Sequence, residues 1–345
     1  MLTHYNPIDR FFCRWKLNET MPPIKQNILD SIFYIYPSKK DASDSSEFGG
    51  TGFVVMRDSS VNSNVCYLYG ITNWHVIDDA GPNPIIRMNT KDGKYRLIET
   101  KISDWIRHRD SDDLVAISFS FDETNYKIVP LPMSLALTDK LIMEYDVGVG
   151  DEAVMVGRFR SHAGRNKNLP VAMFGYISMM PNEPIYNERI DLDQDSYLIE
   201  MRSIPGFSGS PVLLWIPPLS ARRKNTSLSL HARWALLGVC WGYVNVPEKA
   251  EDINGKTYNL KLNSSMAMVV PSQKIIELID GDEMKKERED TEKELQERME
   301  SSGFSVSSSK AGDKTVHTRK KFEDALKKAF KPDEEQKSAE GKSKT

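Results

Sequence analysis

Cysteine is scarce: Cys13, Cys66 and Cys240 are the only three in 345 residues. Three thiols cannot build a disulfide framework, and none stands in a CxxC pair, so a zinc ribbon is excluded as well. Long apolar runs are also missing. No stretch approaches the roughly 18 apolar residues of a bilayer-spanning helix. Near the start, Arg10, Arg14 and Lys16 interrupt the segment where a secretion signal needs an unbroken apolar core. An excess of one charge is lacking too: 46 Lys and Arg against 49 Asp and Glu leave a net charge of −3. A field that recruits nucleic acid is therefore not expected. The expected setting is reduced and cytoplasmic, with no transmembrane segment.

What is present is a globular composition, 39% hydrophobic and 28% charged, with length enough for about two domains. Short β-branched and aromatic runs recur up to about Asp280, separated by Gly, Pro, Asn and Asp. Ile32–Tyr36, Thr51–Val55, Val65–Tyr69 and Leu114–Phe119 form one set, and Ala153–Val156, Val171–Phe174, Tyr197–Glu200, Val212–Trp215 and Leu236–Val239 a second. Many short strands with turn signals indicate an all-β barrel or sandwich. Only Ser272–Ile279 reads as a helix, with Ser272 as a cap and Ile275, Ile276 and Ile279 on one face.

Beyond Gly281 the composition turns to mixed Glu, Lys and Arg, with Met284, Leu295 and Met299 the only apolar residues up to Glu300. An exposed helix or disorder is expected there, followed by a Ser-rich linker over 301–309. At 319–331, Phe322, Leu326 and Phe330 fall at helical spacing among Arg319, Lys320, Lys321, Lys327, Lys328 and Lys331. Such a basic amphipathic helix suits a protein partner or an anionic surface. The organisation expected is an N-terminal extension (1–23), a main domain (24–281) and a charged tail (282–345).

Three segments carry residues fit for chemistry. Gly70-Ile-Thr-Asn-Trp-His-Val76 delivers His75 at the end of a β-run, Ser111-Asp-Asp-Leu-Val-Ala-Ile117 holds Asp113 at the mouth of a strand, and Pro205-Gly-Phe-Ser-Gly-Ser-Pro211 wraps a tight turn around Ser208. A serine hydroxyl is a weak nucleophile until a base takes its proton. Histidine suits that task because it titrates near neutrality, and a buried carboxylate must hold its ring in the right tautomer. Asp110 and Asp112 compete with Asp113, and the apolar residues after Asp113 favour the latter. Gly206 can take the backbone angles that aim its N–H, together with that of Ser208, at a developing oxyanion. Gly209 leaves room behind the nucleophile. The chain order His, Asp, Ser separates this set from the subtilisin and α/β-hydrolase orders.

Gly50-Thr-Gly-Phe53, Thr72-Asn-Trp-His-Val76, Asp113-Leu-Val-Ala116 and Gly206-Phe-Ser-Gly-Ser-Pro211 together resemble the chymotrypsin-fold (trypsin-like) serine peptidases. The likeness is closest to the bacterial trypsin-like branch that includes the HtrA-type catalytic domains. It covers roughly 24–281, and no PDZ domain is expected after it. The resemblance implies two six-stranded antiparallel β-barrels (about 24–130 and 140–272) with the site in the crevice between them, followed by a short C-terminal helix. It implies a serine endopeptidase acting on protein or peptide substrates without a cofactor, through His75, Asp113 and Ser208, with Gly206 and Ser208 as the oxyanion hole. Val239-Cys-Trp-Gly242 resembles the substrate-binding strand of the family, which makes Cys240, Trp241 and Gly242 substrate-binding candidates. Cys240 stands where a serine often supports the triad carboxylate, a task a thiol does more weakly. Phe207 stands where digestive members carry the Asp that pairs with a newly cut N-terminus, so propeptide cleavage is not the expected switch. Arg202 falls either at the floor of the specificity pocket or in a flanking ion pair. A catalytically idle module that binds a peptide or partner is the alternative. His108, His162 and His231 show no ligand at metal-binding spacing along the chain, so no metal site is expected.

Overall fold

A computed structural model describes residues 21–302 except 47, 63–64, 111, 120–124, 218–232 and 252–255, together with 310–311, 314–315 and 317–318. The first half is one sheet built from β1 (Ile32–Tyr36), β2 (Gly50–Asp58), β3 (Val65–Thr72), β4 (Ile85–Asn89), β5 (Tyr95–Glu99), β6 (Ile106–Arg107), β7 (Val115–Phe119) and β8 (Leu131–Pro132). Its order is β5-β4-β1-β2-β3-β7-β6, with β8 lying parallel beside β2. β3 is buried along its whole length, which is why Val65–Thr72 reads as a nearly continuous apolar run rather than an alternation.

The second half comprises β9 (Glu152–Gly157), β10 (Val171–Met179), the small hairpin β11 (Ile185–Asn187) and β12 (Leu192–Gln194), β13 (Tyr197–Glu200), β14 (Pro211–Ile216), β15 (Arg233–Glu251) and β16 (Thr257–Pro271). Six of these close into a barrel in the order β10-β13-β16-β15-β14-β9. The protein is thus mostly β, with one closed six-stranded barrel where two were expected. The first sheet stays open in its hydrogen bonding between β5 and β6 among the described residues. β6 has only two residues and can form few ladder bonds, and β5 presents the exposed side chains of Arg96 and Glu99, the kind of charged edge that resists further pairing.

One core runs across the junction of the halves. Tyr34, Tyr36, Val55 and Leu131 of the sheet are continuous with Val154, Leu213, Trp215 and Leu236 of the barrel. The barrel interior holds Met155, Ile177, Tyr197, Ile199, Phe207, Leu214, Cys240 and Val269. Burial there pushes the Cys240 thiol up to about 11 and the Tyr197 phenol up to about 12. Both folded values lie above the ordinary ones, so the neutral forms support the fold at neutral pH. That support is lost as pH rises from about 9 through these values. Urea unfolding at pH 10.5 to 11 is therefore expected to give a stability about 1–3 kcal/mol below that at pH 8, and Cys240→Ala should flatten part of the drop.

The helix Ser272–Ile279 buries Ile275, Leu278 and Ile279. Pro271 occupies the cap position, and Ser272 instead uses its hydroxyl on the backbone of Leu137, accepting from its N–H at 2.9 Å and donating to its C=O at 3.1 Å. The charged segment beyond is the helix Asp282–Ser302, and it docks rather than standing free. Met284 and Thr291 are buried. Arg288 donates to Tyr69 Oη at 3.1 Å, Ile279 O at 2.8 Å and Asp280 at 2.9 Å, and Glu292 accepts from Ser59 and Ser60. The N-terminal extension over 1–20 and the basic amphipathic segment at 319–331 lie outside the described residues. Among the described residues no helix is long and apolar enough to cross a membrane.

β15 and β16 stay paired from Gly238↔Pro271 out to Glu251↔Thr257. Asn245–Glu251 and Thr257–Lys261 therefore form a two-stranded ribbon, in a stretch where the sequence shows no strand pattern of a buried sheet. Val246, Tyr258, Leu260 and Leu262 are exposed along it, whereas Asn245, Pro247 and Lys261 line the cavity described next.

Candidate active site

Between the halves lies a cavity of about 990 Å³ whose wall includes His75, Gly206, Ser208, Trp241 and Gly242. His75 is not at a strand end. It occupies the first turn of the helix Trp74–Ala80, directly after β3. The first N–H groups of a helix have no partner within it, and here Asp113 supplies one. Its Oδ1 accepts the His75 N–H at 2.9 Å, and its Oδ2 lies 2.5 Å from His75 Nδ1. The carboxylate is fully buried and the imidazole nearly so, at 0% and 8% side-chain exposure, which shields the pair from solvent screening. Two further groups fix Asp113 itself. Asn73 Nδ2 donates to its C=O at 2.8 Å, and its N–H donates to Gln194 Oε1 at 2.6 Å. Asp112 faces a different histidine, with Oδ2 at 3.2 Å from His108 Nδ1, and Asp110 is exposed beside Arg109.

Ser208 sits in the turn between β13 and β14, partly exposed at the cavity wall. Gly206 has φ +105 and Gly209 φ +85, values that favour glycine. A Cβ on Gly209 would lie 1.9 Å from Thr51 O and 2.3 Å from Thr72 Oγ1, so the turn presses against the first sheet with no space for a side chain. Among the described residues, no hydrogen bond draws off the N–H of Gly206 or of Ser208. Both donors stay available beside the hydroxyl. Phe207, fully buried in the barrel interior, anchors the turn from below. Phe207→Ala should cost about 3–5 kcal/mol, measured by urea unfolding.

Thr51 of β2 ties the two halves together at this turn. Its N–H donates to Ser208 O at 2.9 Å, its hydroxyl donates to Gly206 O at 2.7 Å, and the same oxygen accepts the Arg158 N–H at 2.9 Å. The Arg158 side chain, fully buried, donates to the carbonyls of Ser46 and Gly49 next to Phe48 in the cavity wall. Thr51→Val keeps the shape but strands the buried Arg158 N–H. The expected cost is about 1–3 kcal/mol of stability, measured by urea unfolding.

Two of the substrate-binding candidates stand outside the cavity wall. Arg202 is exposed and does not line the cavity, because the chain turns it outward between the buried Met201 and Ser203. Cys240 is wholly buried, with Sγ 3.7 Å from Ser203 Oγ and 3.6 Å from Gly242 O. Its side chain packs in the barrel core, and among the described residues it makes no hydrogen bond to Asp113. Trp241 and Gly242 do line the cavity, Trp241 Nε1 being held by Ser196 Oγ at 2.9 Å. Residues not singled out from the sequence also line it, notably Arg160 and the Ile185–Arg189 segment of the β11–β12 hairpin. Asn73, Gln194, Thr51 and Arg158 were missed too. They act on backbone groups far away in sequence, and only Thr51, within Gly50-Thr-Gly-Phe53, and Asn73, two positions before His75, sat within a visible motif.

No protein-family model matches the chain, and no curated protein matches it. Among solved structures it is similar to the inactive form of the Rv3671c protease at 17% identity, over 74% of this chain and 91% of that one, with a TM-score of 0.39. It is likewise similar to a mutant of Rv3671c from M. tuberculosis H37Rv, also in an inactive form, at 15% identity over 81% of this chain and 96% of that one, with the same TM-score of 0.39.

Proposed function

We propose that the protein is a serine endopeptidase of the chymotrypsin type, with Ser208 as nucleophile, His75 as general base and Asp113 as the group that orients and stabilises the imidazole. The observation that carries this reading is the buried His75–Asp113 pair at 2.5 Å, opening on the same cavity as Ser208. With Nδ1–H committed to Asp113, the lone pair of Nε2 is left for the serine proton. Ser208 Oγ attacks the scissile carbonyl carbon as its proton passes to Nε2. The N–H groups of Gly206 and Ser208 receive the negative charge on the former carbonyl oxygen. His75 then returns the proton to the leaving amine, giving an acyl-enzyme. A water, deprotonated by the same nitrogen, releases the acid and restores the hydroxyl. The cavity between sheet and barrel, walled by Trp241, Gly242 and the β11–β12 hairpin, suits an extended peptide segment.

A fluorophosphonate probe, which acylates only an activated serine, tests the reading on the full chain. Stoichiometric labelling of the wild type and none of Ser208→Ala is the expected outcome. A wild type that stays unlabelled from about pH 6 to 9, and cuts nothing in a peptide library, would leave the idle binding module as the better account.

A further inference from the structure

Away from the cavity, on the far side of the loop that carries Asp113, lies a cluster that peptide hydrolysis does not use. His108 follows β6, and its side chain has 0% exposure. Neither of its ring nitrogens makes a hydrogen bond, and Asp112 Oδ2 beside it is likewise buried without one. Around the imidazole stand Asp112, Asp110 and, from the helix Ser272–Ile279, Glu277. One ligand atom from each of His108, Asp110 and Glu277 falls within 4.8 Å of the others.

On the Nε2 side of the ring the spacing is long for a hydrogen bond and suitable for a shared ion. His108 Nε2 lies 3.5 Å from Glu277 Oε2. Nitrogen and oxygen ligands about 2.0–2.2 Å from a tetrahedral zinc stand about 3.4 Å apart. On the other side of the ring, Asp112 Oδ2 is 3.2 Å from Nδ1. That is the position of the carboxylate that fixes the tautomer of a metal-bound histidine and turns its free lone pair toward the ion.

Charge points the same way. Four carboxylates, Asp110, Asp112, Asp195 and Glu277, surround the site. The cations facing them are Lys274, whose Nζ is 3.5 Å from Asp112, 3.6 Å from Asp195 and 3.7 Å from Glu277, and Arg109 at the solvent edge, 3.5 Å from Asp110. No Lys274 contact reaches the 2.7–2.9 Å of a strong charge-assisted bond. The ammonium hovers among three acids rather than neutralising one, and negative charge is left over.

We infer that His108, Asp110 and Glu277 form a binding site for a divalent transition-metal ion of the zinc class, with Asp112 orienting the imidazole and solvent filling the fourth position. Lys274 is the resident competitor, and the ion displaces it toward Asp195.

The test uses the full-length protein, stripped with a chelator and titrated with zinc by equilibrium dialysis with metal analysis, a readout independent of any peptidase activity. The expected result is one zinc per chain, with affinity reduced 10- to 100-fold in His108→Ala and at least about 10-fold in Glu277→Gln. Glu277 is only partly buried, so that variant carries the test if His108→Ala does not fold. A wild type that takes up no zinc, or zinc retained with unchanged affinity by Glu277→Gln, would overturn the inference.

Discussion

Asp113→Asn is expected to lower peptide turnover by about 10⁴-fold while leaving the protein folded. The geometry says why the loss is so large. The backbone N–H of His75 is a fixed donor 2.9 Å from Oδ1, so the amide oxygen of an Asn must stay there to accept it. Its NH₂ is then forced against Nδ1 of the ring, which must become an acceptor. The ring proton moves to Nε2, the nitrogen that should receive the serine proton, and the base is blocked by its own tautomer. Steady-state kcat/KM on a short peptide measures the effect, and Asp112→Asn serves as the control. Asp112 faces His108 and not His75, so its amide should leave turnover within a few fold. If the two variants exchanged behaviour, the assignment of the carboxylate would fall.

Ser208→Ala is expected to remove hydrolysis altogether, by on the order of 10⁶-fold, with no change in urea midpoint. A partly exposed hydroxyl at a cavity wall leaves no hole when deleted, and the Ser208 carbonyl that binds Thr51 belongs to the backbone. His75→Ala alone should cost nearly as much, and the double variant little more, because the two act as a unit. A Ser208→Ala protein that retains a tenth of the wild-type rate would move the nucleophile elsewhere.

What could be read from the chain follows the range of the forces involved. The His75 and Ser208 turns are short local motifs, so their residues stand out without any fold. The helix Trp74–Ala80 does not, because seven residues, about two turns, after a buried strand are too few to show a period. The ribbon was missed for the opposite reason. Tyr258, Leu260 and Leu262 alternate as a strand should, yet they face solvent, and a strand whose apolar side is uncovered is not the one that patterning rules anticipate. The docking of Asp282–Ser302 rests on polar contacts of Arg288 and Glu292 with residues more than 200 positions away, for which the charge-rich segment gives no local sign. His108 and Glu277 lie 169 positions apart along the chain, and ligand spacing in a sequence cannot register a pair brought together by tertiary contact.

The link through Thr51 also bears on how the proposed active site is assembled. Its hydroxyl joins residues 155 positions apart, and the Ser208 turn is held only after sheet and barrel have met. Contacts of such long range form late, since the chain must first lose the entropy of closing the intervening loop. In refolding, β-structure and aromatic burial should therefore return before turnover does. Catalytic competence would then report the final docking of two half-built lobes rather than the folding of either.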